Sequence, residues 1–283
     1  MVNTAAVRAG GNLDLASMLF SEPPTVLEVP AFAWGAGGLH GGLALSLIAS
    51  SVRRSFSDHS LRSITGHFHR PVRDTFAIES RVIRSGNSVG AVQATGSGSA
   101  GIALTATAVF GSEQEYGVPV YAPEAPDVPG PDSLPPLRGL EDKVPVLSQV
   151  DLRPVGAIRP YAGAADPTMT AWMRVKGRDA PVDPCSVIFF LDALPPSYTA
   201  ALTDLRPVPT LEFSAHVTAS VPTSPWVLVQ SRTVRASSGG WVTELIDAWG
   251  PEGAHLGSAQ QLRLAVAAKE ITDQTPRDVR KRT

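Results

Sequence analysis

The stretch Trp34–Arg54, WGAGGLHGGLALSLIASSVRR, constrains the fold more than any other part of the chain. Gly37, Gly38, Gly41 and Gly42 stand immediately before Leu43, Ala44, Leu45, Leu47, Ile48, Ala49 and Val52. Apolar side chains cover nearly the whole circumference of that run, which predicts a buried helix, not one with a solvated face. The glycines mark its entrance, where a backbone without Cβ atoms lets another chain segment or a ligand reach the orphan N–H groups of the first turn. Arg53 and Arg54 follow at the end where the helix dipole favours cations.

A chain of 283 residues with 43% hydrophobic content suits two domains and supports a real core. The formal net charge of −2 gives no footprint for nucleic acid or an anionic membrane. No segment reaches the roughly 18–20 uncharged apolar residues of a membrane span, and the first residues lack the pattern of an export signal. The expectation is a soluble, cytoplasmic protein. Cys185 is the single cysteine, so an intrachain disulfide is excluded and a cysteine metal site disfavoured. His67 and His69 share one strand face, but their surroundings in sequence offer no carboxylate to complete a ligand set, and the polar face of a strand is the better account. No metal and no cofactor are expected.

The segment LASMLF suggests a short helix, and Thr25–Phe32 an edge strand. After the buried helix the pattern changes to strands at Leu61–Val72, Thr75–Ser85, Ser88–Gly96 and Ile102–Phe110, joined by compact turns. One buried helix followed by four antiparallel strands implies a sheet curled around the helix. Gly117–Pro154 is proline-rich, which opposes helix and sheet ladders alike and predicts a linker over the surface. Past it the order recurs: a strand at Met169–Lys176, an apolar helical segment at Cys185–Leu202, and strands at Thr210–Val221, Trp226–Ala236, Trp241–Trp249 and His255–Val266. The hairpins match as well, RVIRSGNSVG at Arg81–Gly90 against RTVRASSGGWV at Arg232–Val242. An internal duplication follows, with halves of domain size. The expected division is a first domain at 14–116, a linker at 117–148, a second domain at 149–268 and a charged, disordered tail at 269–283.

GGLHGG at the helix entrance, HFHRPV at His67–Val72 and the turn Gly86-Asn87-Ser88 lie in the first half; LDAL around Asp192, Thr210-Leu211-Glu212 and Gly257-Ser258-Ala259-Gln260-Gln261 lie in the second. In their shared order and spacing the chain resembles the acyl-CoA thioesterase II family over about residues 14–267. The resemblance implies an α+β double hotdog, with two antiparallel sheets, each wrapped around a long buried helix, joined side by side. It also implies hydrolysis of an acyl-CoA, with Asp192, Thr210 and Gln261 holding the water, and no cofactor. Asp192 is the only charged residue of SVIFFLDAL, where a carboxylate is costly unless paired or used. Ser214 shares the strand parity of Thr210 and could serve instead. Gln260 and Gln261 point to opposite faces, and the resemblance, counted from Ser258 as in the family, implies Gln261.

The expected geometry places the thioester beside a helix N-terminus, whose N–H groups stabilise the oxyanion. Phe189, Phe190 and Trp172 are candidates to line the acyl tunnel, and Arg70, Arg153 or Arg159 to meet CoA phosphates. The chain departs from the family along TLEFSAHVTASVP, which lacks the usual aromatic and basic residues, and in Pro195-Pro196, which cut the second helix short. Two other classes therefore stand beside the hydrolase: a non-catalytic acyl-CoA-binding protein, and a hotdog hydratase or dehydratase in which His40 at the helix entrance would act. A double hotdog is equivalent to a dimer of single ones, and further homo-oligomers are possible. Of the two helices, the second carries the expected chemistry through Asp192, while the first supplies the fold and an unused or binding-only cleft.

Overall fold

A computed structural model of the protein describes residues 13–56, 58–113, 117–157, 159–219 and 222–267. The tail at 269–283 lies outside them. The described chain begins with α1 (Leu15–Phe20), closed by a capping box in which Asp14 and Ser17 exchange side-chain to backbone hydrogen bonds. Its buried Leu15, Met18 and Leu19 dock it on the body. Strand β1 (Val26–Glu28) lies at one edge of the sheet.

Helix α2 (Gly41–Arg53) is buried from Gly42 to Ser50 and again at Val52, as an apolar circumference requires. It is shorter than the glycine-rich stretch, because Trp34 and Leu39 pair in an isolated bridge that folds the residues before His40 into a turn. Strands β2 (Ser60–Phe68), β3 (Thr75–Ser85), β4 (Val89–Gly98) and β5 (Gly101–Gly111) follow. A Cβ on Gly66 would lie 2.6 Å from a methyl carbon of Leu45, so its absence lets α2 settle against β2.

The proline-rich segment runs over the surface and ends in a 3-10 turn at Pro145–Gln149 and a strand, β6 (Val150–Pro154), which the composition does not predict. Proline is admissible there because β6 is an edge strand. Then come β7 (Thr168–Val175), α3 (Pro184–Ala193), β8 (Thr210–Val217), β9 (Val227–Ala236), β10 (Trp241–Trp249) and β11 (His255–Leu264). Helix α3 ends at Ala193, before Pro195-Pro196 and nine residues short of the expected Leu202 end, and a separate 3-10 turn occupies Ser197–Ala200.

The two sheets expected side by side are continuous with each other and form one 11-stranded antiparallel sheet in the order β1-β3-β4-β5-β2-β8-β11-β10-β9-β7-β6. Apart from β6 the order is a palindrome, in which β1, β3, β4, β5 and β2 mirror β7, β9, β10, β11 and β8. The halves meet where β2 pairs antiparallel with β8, Thr65 opposite Ser214 and Gly66 opposite Phe213. Both helices lie on the same side of this sheet and pack against each other. They run antiparallel, since the start of α2 meets the end of α3 at Gly42 and Asp192, while Arg53 at the end of α2 pairs with Asp183 at the start of α3 at 2.8 Å.

A second apolar cluster of Trp172, Trp226, Leu228 and Trp249 is covered by Ala125, Val128 and Leu134 of the proline-rich segment. The indole N–H groups of Trp172 and Trp249 donate to the Pro129 and Pro123 carbonyls at 2.9 and 3.0 Å. Trp172 thus belongs under this strap, not beside the helices as a tunnel wall. Replacing Trp172 and Trp249 together by Phe keeps the ring bodies and removes both donors. Limited proteolysis between residues 117 and 137 should then proceed several-fold faster than in the native chain, at a common fraction folded.

Candidate active site

Asp192 is the ninth of ten residues in α3, and carboxylates are unwelcome at the C-terminal end of their own helix. The antiparallel packing reverses this, because the same side chain lies at the N-terminus of α2. Its Oδ2 accepts a hydrogen bond from the Gly42 N–H at 2.6 Å. The approach depends on missing side chains: a Cβ on Gly42 would stand 2.6 Å from the Asp192 Cβ, and one on Gly41 3.1 Å from Oδ2. The two glycines read as an entrance are thus the seat of Asp192. Both helices therefore contribute to the surroundings of Asp192.

His40 is the N-cap of α2, and its Nδ1 accepts from the Leu43 N–H at 3.3 Å. Nδ1 is 3.8 Å from Asp192 Oδ2. Burial holds the His40 pKa below its ordinary 6.5, against the pull of the Asp192 charge, so the ring is neutral and free to accept. With Gly42 donating to Asp192 and Leu43 to His40, two N–H groups of the first turn already have acceptors.

Gln261 on β11 is fully buried, and its Nε2 donates to Asp192 Oδ1 at 2.6 Å. Gln260 is exposed, as the alternation of the strand requires. Ser214 lies opposite Gln260 and bonds Thr65 Oγ1 at 2.8 Å, on the face away from Gln261. The shared parity of Thr210 and Ser214 is broken by a register shift in the β8–β11 ladder, which sets Thr210 opposite Arg263. That guanidinium reaches Asp192 Oδ1 at 3.5 Å.

Two residues escaped the sequence reading. Arg263 and Glu244, 6% and 0% exposed, form a buried ion pair at 2.5 Å directly behind Gln261. The signal was present in the strand alternation: Val242, Glu244, Ile246 and Ala248 are all buried, so a carboxylate stands in a core-facing row. Of the proposed aromatic lining, Phe189 and Phe190 are fully buried, and Phe189 lies 5.4 Å from the His40 ring. Arg153 is engaged elsewhere, paired with Asp151 and placed over the Trp226 ring. His67 faces Glu212 at 3.3 Å, a carboxylate on the neighbouring strand that the linear sequence concealed.

With this geometry in view, comparison of the sequence with family models matches the acyl-CoA thioesterase N-terminal domain at residues 31–111 and the acyl-CoA thioesterase C-terminal domain at residues 122–265. The chain belongs to the acyl-CoA thioesterase family. Comparison with curated proteins gives no match. Among solved structures, the chain is similar to a conserved protein of unknown function with hot dog fold from Alicyclobacillus acidocaldarius, at 23% identity over 86% of this chain and 92% of that one, TM-score 0.74. It is also similar to the tesB protein of Mycobacterium avium subs paratuberculosis, at 18% identity over 86% and 92%, TM-score 0.69. For the acyl-CoA thioesterase II TesB2 from Mycobacterium marinum the figures are 19% identity, 83% and 93%, and TM-score 0.67. These likenesses identify the hotdog fold. No helix among the described residues is long and apolar enough to cross a membrane.

A cavity of about 440 Å³ lies at the opposite end of the helix pair, lined by residues such as Ser50, Arg53, Phe56, Phe110 and Cys185. By the palindrome it is the counterpart of the Asp192 site; among the described residues that line it, Glu22 carries the carboxylate. Arg53 and Arg54 on its wall are paired with Asp183 and Glu22, and burial pushes the Cys185 thiol up to about 12.

Two outcomes follow from the helix junction. Gly42→Ala should push α3 off α2, lowering the melting temperature by several degrees and turnover by at least tenfold. For His40, the folded pKa is depressed, so its contribution to stability is complete above the ordinary 6.5 and is lost as pH falls through that value toward the folded pKa. His40→Asn, which can still cap the helix, should reduce the fall in melting temperature between about pH 7 and about pH 5 relative to the native chain.

Proposed function

We propose that the protein hydrolyses an acyl-CoA to the free acid and CoA, with Asp192, Gln261 and Thr210 holding the attacking water. The observation that carries this reading is the junction of Asp192 with Gly42 and Gln261. A carboxylate from α3 is held by donors at 2.6 Å from α2 and from β11. Each carboxylate oxygen has two acceptor positions, so after these two bonds both oxygens retain capacity to accept from water.

Water bound to Asp192 loses a proton to the carboxylate as its oxygen attacks the thioester carbon. The carbonyl π electrons move onto oxygen, and the oxyanion draws on the positive end of α2, where the Gly41 N–H is the donor neither Asp192 nor His40 takes. Collapse of the tetrahedral intermediate breaks the C–S bond, and the departing thiolate takes the proton from Asp192. Thr210, opposite Arg263 on the ladder, supplies a hydroxyl to orient the water. No covalent intermediate is required. The fully buried Phe189 beside His40 makes the surroundings apolar, which suits an acyl chain and strengthens each polar interaction.

The test is Asp192→Asn, assayed by release of free thiol from a panel of acyl-CoAs. Turnover should fall by about 10²–10⁴-fold, the contribution of a positioned base. Turnover equal to that of the native chain would falsify the mechanism. Gln261→Leu and Thr210→Val should each reduce kcat by about ten- to a hundredfold. Acyl-CoA binding by the native protein without thiol release would identify a non-catalytic binding protein instead. Addition of water to an enoyl-CoA would reassign His40 and Asp192, 3.8 Å apart, as an acid–base pair.

A further inference from the structure

We infer that Arg263 and Glu244 are positioning residues, which fix the Gln261 carboxamide in the single orientation that can serve Asp192. The inference rests on the hydrolytic reading of Asp192 given above. A carboxamide has two ends of nearly equal size, and turning it over exchanges donor for acceptor. Against a carboxylate the exchange is costly, since Oε1 would then face Asp192 with no proton between them. Here both neighbours dictate the same choice. Gln261 Oε1 accepts from Arg263 Nη2, and a guanidinium has no acceptor; Gln261 Nε2 donates to Asp192 at 2.6 Å, and an ionised carboxylate has no donor.

The guanidinium is itself anchored. Its Nε donates to Glu244 Oε2 at 2.5 Å and its Nη1 to the Val208 carbonyl at 3.4 Å. Glu244 accepts through its other oxygen from the Ser197 hydroxyl at 2.8 Å and the Tyr198 N–H at 2.9 Å. Ser197 bonds Thr233 in turn. Orientation therefore passes from the 3-10 turn after Pro195-Pro196, through Glu244 and Arg263, to the amide that holds Asp192. Glu244 has a second effect. Arg263 lies 2.5 Å from Glu244 and 3.5 Å from Asp192, so the buried carboxylate keeps the cation from closing a full ion pair with the reacting one.

A buried ion pair could equally be a purely structural one, and breaking it by a single deletion destabilises a fold for that reason alone. Arg263→Lys separates the two roles. Lysine preserves the charge opposite Glu244, but as a point charge it cannot span Glu244 and Gln261 with the fixed fork of a guanidinium. The expected result is a melting temperature near that of the native chain, kcat for thiol release lower by about ten- to a hundredfold, and KM within about twofold. The double variant Arg263→Met with Glu244→Gln, which leaves no unpaired charge, should show the same split. A folded variant of either kind with native kcat overturns the inference. In the native protein, the Gln261 side-chain NH2 should give two well-separated proton signals protected from solvent exchange, and a freely exchanging pair also overturns it. Asp192→Asn measured in parallel tells the failures apart: loss of turnover there with native kcat in Arg263→Lys removes only the positioning role, whereas native turnover in Asp192→Asn removes the hydrolytic reading.

Discussion

The contact between Asp192 and the first turn of α2 is the point on which the molecule turns. An aspartate near the end of its own helix would ordinarily seek solvent, yet this side chain is only 9% exposed. Its burial is tolerable because the neighbouring helix presents N–H groups and the positive end of a dipole, and because Gln261 closes the other oxygen. Those conditions demand an antiparallel helix pair at short range, and that demands Gly41 and Gly42. The same pairing brings Arg53 to Asp183 at the far end, so polar contacts at both ends set the axial register of two otherwise apolar helices.

Local pattern carried much of the fold. Strand β3 has the limits that its composition suggests, and the β9 and β10 limits differ from expectation by no more than a residue, because alternation and turn residues act over short distances. The duplication, visible in matched hairpins, reappears as the palindromic strand order. What the sequence left hidden was long-range. Nothing in linear order brings Gly42 to Asp192, 150 positions away, so the glycine entrance and the acidic helix looked like alternative sites. Nor does composition reveal that β2 and β8 pair edge to edge and turn two sheets into one.

The candidate site was legible to a similar depth. Asp192 stands out as the lone charge on an apolar helix, Gln261 follows only from the family resemblance, and the two hydrogen-bond each other. The choice between Thr210 and Ser214 could not be settled by parity, since a register shift between them is invisible in the pattern it disrupts. Trp172 was misplaced for a related reason. The outer face of this half of the sheet is not solvated but covered by the proline-rich segment, so an aromatic there is as well buried as one beside the helices. Glu244 and Arg263 show how much a polar residue in an inward row can reveal once the pairing of the strands is known.

The strap that joins the halves has a consequence for their chemistry. Two separate copies of a small domain, assembled as a dimer, would place the same residues at both ends of the helix pair and would come apart on dilution. Here one chain runs through both halves, with three indole and arginine contacts pinning its path across the outer sheet. The two ends have consequently been free to diverge: one holds Gly42, Asp192 and Gln261, the other Ser50, Arg53 and Cys185. Tethering makes the effective concentration of each half for the other independent of how much protein the cell contains. A site assembled from both halves is then a property of a single molecule.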